Sequence, residues 1–133
     1  MSEVETTLYD RLGDERIRRL VDRFYDHMDS VPECAPIRVM HPPDLAGSRD
    51  KLYWFLVGWS GGPPLYVERH GHPRLRARHL PFSIGDAEAL QWMHCMRLAL
   101  DEVVGEPHLR SLLEAALGRV AGHMRNQEPG AEG

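Results

Sequence analysis

Apolar residues recur along this chain at the spacing of helices rather than strands, in four stretches. In the first, from about Asp14 to Met28, Ile17, Leu20, Val21, Phe24, Tyr25 and Met28 follow i, i+3, i+4, i+7, i+8, i+11. Gly13-Asp14 supplies a break and an N-cap before it. The second runs from about Ala46 to Trp59 with Leu52, Phe55, Leu56 and Trp59 on one face, and Gly61-Gly62-Pro63-Pro64 stops it. The third, about Asp86 to Val104, carries a stripe of Ala89, Trp92, Met93, Met96, Leu100 and Val103 and ends at Gly105. The fourth starts at Pro107, a favoured first helical residue, and aligns Leu109, Leu112, Leu113, Ala116, Leu117, Val120 and Met124.

The connecting segments add little regular structure. Pro32 to Pro43 reads as a loop with at most a turn or two of helix. Pro63 to Gly85 contains one short helical pattern, Leu75, His79 and Phe82, which Pro81 keeps brief. There is no sustained period-2 alternation and no Asn-Gly or Asp-Gly hairpin turn. The expected fold is therefore all-α: four main helices and a short one that carries a histidine. The expected organisation is one domain over residues 1–133, with a core of about 8–126 and a frayed tail at 127–133.

Composition fits a globular chain of one domain: 133 residues, 42% apolar and 27% charged. A net charge of −4 argues against nucleic acid or an anionic membrane as partner, since both call for a basic surface. The acidic start, MSEVETTLYD, does not read as a signal peptide. No stretch approaches the roughly 18–20 apolar residues of a membrane span. A cytoplasmic protein is expected. Cys34 and Cys95 form no C-x-x-C pair, so no zinc or redox site built from both is expected, and Cys95 reads as a small core residue.

His79 shares a face with Leu75 and Phe82, so its imidazole is expected to point inward. An inward histidine is either a neutral core residue or a ligand. Arg74, Arg76 and Arg78 crowd the same segment. They form either a solvated basic face or a cradle for a cofactor that is apolar in the middle and carboxylated at its edge; haem is such a cofactor, and its iron accepts a histidine. Tyr25 and Trp92 each bring one polar hydrogen into an apolar stripe. Each either bonds a backbone carbonyl in an ordinary core or donates to a ligand that takes on negative charge. Ser48, one turn before Leu52, is either a helix-start residue or a small hydroxyl at a ligand site. His41 lies in a Pro-rich loop, His70 and His72 read as structural or exposed, and His27, His94, His108 and His123 carry no pattern. There is no zinc spacing, G-x-S-x-G, Walker loop or G-x-G-x-x-G.

The run Gly71-His72-Pro73-Arg74-Leu75-Arg76-Ala77-Arg78-His79-Leu80-Pro81-Phe82-Ser83-Ile84 resembles the proximal segment of group II truncated haemoglobins. So do Phe24-Tyr25, Asp44-Leu45-Ala46, Gly61-Gly62-Pro63-Pro64-Leu65-Tyr66, and Trp92 with Cys95-Met96. The likeness covers about residues 8 to 126. It departs at the turn before the first long helix, where the family tends to carry paired glycines and this chain has Gly13-Asp14.

The resemblance implies a two-over-two helical sandwich around one haem b, with His79 as the iron ligand. It implies distal donors Tyr25 and Trp92, His41 as a third residue facing the ligand (an assignment that needs a one-residue gap near Pro42, with Met40 its rival), and Ser48 at the distal gate. Leu52, Phe55 and Phe82 are placed against the cofactor, and Arg78 and Tyr66 at its propionates. It implies dioxygen or other diatomic molecules as ligands, with affinity and slow release suited to chemistry or sensing more than to bulk oxygen transport. A peroxidase or NO dioxygenase on the same site is the alternative, with peroxide and an unidentified reductase as further partners, in a monomer or homodimer. A helical bundle without haem is the third reading, and the colour of the preparation separates it from the other two.

Overall fold

The computed structural model describes residues 7–71 and 85–124. His79, Arg78 and Phe82, with the short helical pattern expected around them, lie outside the described residues, as does the tail. Among the described residues there is no strand. Six helices appear: α1 (Leu8–Ser30), α2 (Ala35–Arg38), α3 (Ala46–Trp59), α4 (Leu65–His70), α5 (Asp86–Val103) and α6 (Pro107–Met124); a 3₁₀ turn, Pro32–Cys34, precedes α2.

Helix α1 starts earlier than the stripe predicts. The Thr7 hydroxyl accepts from the Asp10 N–H at 3.0 Å, and the Asp10 carboxylate accepts from the Thr7 N–H at 3.1 Å, a reciprocal cap that opens a first turn ahead of the expected start. The expected break is present at Gly13, whose φ of 80° and ψ of 160° interrupt the helix. Asp14 accepts a hydrogen bond from the Tyr9 hydroxyl at 2.8 Å. Beyond the kink the predicted stripe is buried as expected, from Ile17 to Met28.

Helix α3 has the predicted bounds. Just ahead of its N-cap, Leu45, Asp44 accepts from the Ala46 N–H at 2.9 Å; the cap itself has no side-chain hydrogen bond. Two glycines after it are required by close approach. A Cβ on Gly61, at φ +108°, would stand 2.8 Å from the Thr7 side chain, and one on Gly62 would stand 2.7 Å from the Tyr9 ring. The Tyr9 N–H donates to the Ser60 carbonyl at 2.8 Å, so the front of α1 is fastened to the end of α3.

Helix α4 departs from expectation, since the sequence reads as loop there. It is six residues long, bounded by Pro64 and by Gly71 at φ 75°. Leu112 also departs: it belongs to the predicted stripe of α6 but is 42% exposed, while Ala121 is buried in its stead. Helix α6 packs on α5 alone among the other described helices, so one narrow face suffices.

The core lies where α1 meets α5 and α5 meets α6. The 3₁₀ turn and α2 fill the end between α1 and α5. Helix α3 packs on α1 and α4, and its backbone stands off from α5 and α6. The result is one pair, α1 and α3, set against another, α5 and α6, with space beneath α3.

Candidate functional site

Of the predicted site residues, Phe55 lines a cleft between α3 and α6, while Tyr25, His41 and Trp92 gather in an aromatic group around Phe24. Only Leu56 and Val57 of α3 are buried; Leu52, Phe55 and Trp59, on the predicted apolar face, stay half-buried. Phe55 and Trp59 line a cleft of about 320 Å³, with Ala116, Arg119, Val120 and His123 of α6 on its other side. Apolar side chains facing a gap of this kind suit an apolar occupant.

Tyr25 of α1 is 6% exposed. Its ring meets Phe24 edge-on at 4.9 Å between centroids and His41 at 5.7 Å. Phe24 in turn meets Trp92 of α5 at 5.1 Å. Tyr25, His41 and Trp92 therefore form one aromatic group, assembled from three separate elements. Among the described residues, neither the Tyr25 hydroxyl nor the Trp92 indole N–H has a hydrogen-bond acceptor. Tyr25 is buried and Trp92 half-buried, and neither donor atom is itself fully enclosed. Burial raises the Tyr25 pKa, and the Arg49 guanidinium offsets part of that rise. The phenol is therefore a protonated donor at neutral pH.

His41 is half-buried rather than a solvated loop residue. Its Nδ1 lies 2.9 Å from the Ile37 carbonyl, which can only accept, so Nδ1 carries a proton. Ser48 is half-buried in the first turn of α3, and Tyr66 on α4 is half-buried with its ring 6.5 Å from Phe55 and 5.0 Å from His70. No group of three or more His, Cys, Asp or Glu side chains is arranged for a metal among the described residues.

Two residues here escaped the reading of the sequence. Arg49 donates to the Asp22 carbonyl at 2.9 Å and to the Asp26 carboxylate at 2.7 Å, and its guanidinium stands 5.9 Å from the Tyr25 ring centroid. It pins the front of α3 to α1 beside the phenol. Gln91, next to Trp92, has a buried Oε1 with no partner among the described residues. The only sequence signal for Arg49 is a cation at the start of an apolar helix, which by itself reads as solvated.

A family model for bacterial-like globins matches residues 7–126. This chain belongs to that globin family. Within it, the likeness is to group II. The group 2 truncated hemoglobin YjbI of Bacillus subtilis is 45% identical over 119 residues, 90% of this chain and 88% of that protein. The solved group II 2-on-2 hemoglobin of Agrobacterium tumefaciens is 49% identical, with a TM-score of 0.88 over 96% of this chain and 100% of that one. A solved truncated oxygen-avid haemoglobin from Bacillus subtilis is 44% identical, with a TM-score of 0.82 over 91% of this chain and 100% of its own. The globin is thus a two-on-two truncated haemoglobin, and the cofactor of its family is haem b. The residues present fit that group: a half-buried apolar face on α3, a cleft between it and α6, and a phenol and an indole brought together around Phe24. No helix among the described residues is long and apolar enough to cross a membrane.

Proposed function

We propose that this globin binds dioxygen and other diatomic ligands in the cytoplasm, with His79 holding the haem iron and Tyr25 and Trp92 donating to the ligand from the distal side. Haem supplies an iron at which a diatomic ligand takes on negative charge. The observation that carries the reading is the gathering of a phenol, an indole and an imidazole around Phe24 and Tyr25, with the Arg49 guanidinium of α3 beside the phenol ring. Donors already fixed in a dry site stabilise developing negative charge without reorganising.

The other residues take supporting roles. His41, with Nδ1 held by the Ile37 carbonyl and its ring beside Tyr25, is a third residue on the ligand side. Ser48 is a small side chain at the distal gate. Leu52, Phe55 and Phe82 form the wall, and Arg78 and Tyr66 face the propionates. Several donors on one ligand favour slow release, and a relative described as oxygen-avid supports that expectation.

Stopped-flow release of dioxygen from Trp92→Phe and Tyr25→Phe tests the assignment. A hydrogen bond to a charged acceptor contributes about 1.5–3 kcal/mol, so each substitution is expected to speed release by about tenfold or more. Wild-type rates in both variants would remove them from the role.

A further inference from the structure

The two cysteines, 61 positions apart in sequence, meet in the fold. Cys34 closes the 3₁₀ turn and Cys95 lies midway along α5; both are fully buried, and their sulfurs are 2.6 Å apart. That is within a small side-chain adjustment of an S–S bond of about 2.05 Å. The Cys34 thiol is also 3.6 Å from the Gln91 carbonyl, which holds it against α5. Sequence spacing argued against a redox site built from both cysteines, because a C-x-x-C test sees only neighbours. The fold supplies the proximity that the spacing lacks.

Their place matters as much as their distance. Cys34 precedes Ile37, whose carbonyl holds His41, by three residues, and Cys95 follows Trp92 by three. We propose that Cys34 and Cys95 are a dithiol–disulfide pair whose oxidation ties the segment carrying His41 covalently to the helix carrying Trp92. The oxidant is a low-molecular-weight disulfide. One protein thiolate attacks it, forming a mixed disulfide and releasing one small thiol; the second protein thiolate then attacks the protein sulfur of that mixed disulfide and releases the other. Two protein thiols are oxidised, one disulfide is reduced to two thiols, and the two protons pass from the protein to the released thiolates.

Burial raises the Cys95 pKa and so keeps its thiolate scarce. Exchange is accordingly slow and proceeds while the 3₁₀ turn opens; Pro32 and Glu33 of that turn are exposed, and three residues make a weak element. The oxidised form closes a long loop in the unfolded chain, which raises the melting temperature.

The test equilibrates the full-length, haem-loaded protein in oxidised and reduced glutathione, with and without sub-denaturing urea, until no further change. Acid quenching, unfolding, alkylation and intact mass follow. The expected product in oxidised buffer has lost two hydrogen atoms, resists alkylation, carries no glutathione and melts at a higher temperature. Cys34→Ser and Cys95→Ser are expected to keep the haem band and to melt at the same temperature in both buffers. Wild-type protein that remains fully alkylated at both sulfurs, or that ends as a glutathione adduct, overturns the proposal. These readouts are independent of the roles given to Tyr25 and Trp92.

Discussion

Glu102 near the end of α5 accepts from Arg23 at 3.1 and 3.0 Å and stands 2.5 Å from His27 Nε2, joining α5 to α1. Arg23 first, and His27 after it, hold its carboxyl down to about 2 from an ordinary 4.5. A depressed pKa means that the fold favours the ionised form. The stabilisation is present above about pH 4.5 and is lost as the pH falls from there toward 2. The group is 41% exposed, so solvent screening limits its worth to under about 1 kcal/mol. In urea unfolding, Glu102→Gln is expected to cost that much at pH 7, with the gap to wild type closing on acidification; a gap that widens would contradict this. At the same scale, Tyr25 and Trp92 were legible in the sequence because a phenol or an indole within an apolar stripe must point inward. Arg49 and the cysteine pair were not. Each is defined by a contact between distant parts of the chain, and neither residue type carries a pattern that names its partner.

Elements bounded by strong punctuation were the legible ones. Gly61-Gly62-Pro63-Pro64 fixes the end of α3 and Pro107 the start of α6, and both bounds match the expectation. Helix α4 was missed although Pro64 and Gly71 frame it, because six residues are too few to show a period. Leu112 was overcalled because periodicity marks every apolar residue on an arc, whereas contact with one neighbouring helix buries only the middle of it. The glycines separate the same two influences. Gly62→Ala brings a methyl carbon to within 2.7 Å of the Tyr9 ring and is expected to destabilise by about 1–3 kcal/mol. Gly118→Ala, inside α6 with nothing within 4 Å of the added carbon, is expected to stabilise by about 0.5–1 kcal/mol. Thermal melts of the two variants should move in opposite directions; shifts of the same sign would show that the α1–α3 approach is looser than described.

For the whole molecule, the cofactor is part of the packing. Leu52, Phe55 and Trp59 lack a full apolar cover from the described chain, so the haem-free protein is expected to melt lower and to bind an apolar dye such as anilinonaphthalene sulfonate, which haemin should displace. His79→Ala is expected to purify with a weakened Soret band and to melt close to the haem-free form; a variant that keeps the wild-type spectrum and melting temperature would assign the iron to another ligand. The two-over-two plan itself was legible through the resemblance, since apolar stripes alone are equally those of a plain bundle. The way α3 is mounted has a mechanical consequence. It is hung over its chamber like a beam from brackets bolted to α1: the Tyr9–Ser60 hydrogen bond at one end, the Arg49 ion pairs at the other and the Arg18–Asp50 ion pair between them. The height of the roof is thus set through α1, which also packs on α5, so a disturbance that tilts α1 moves roof and floor together.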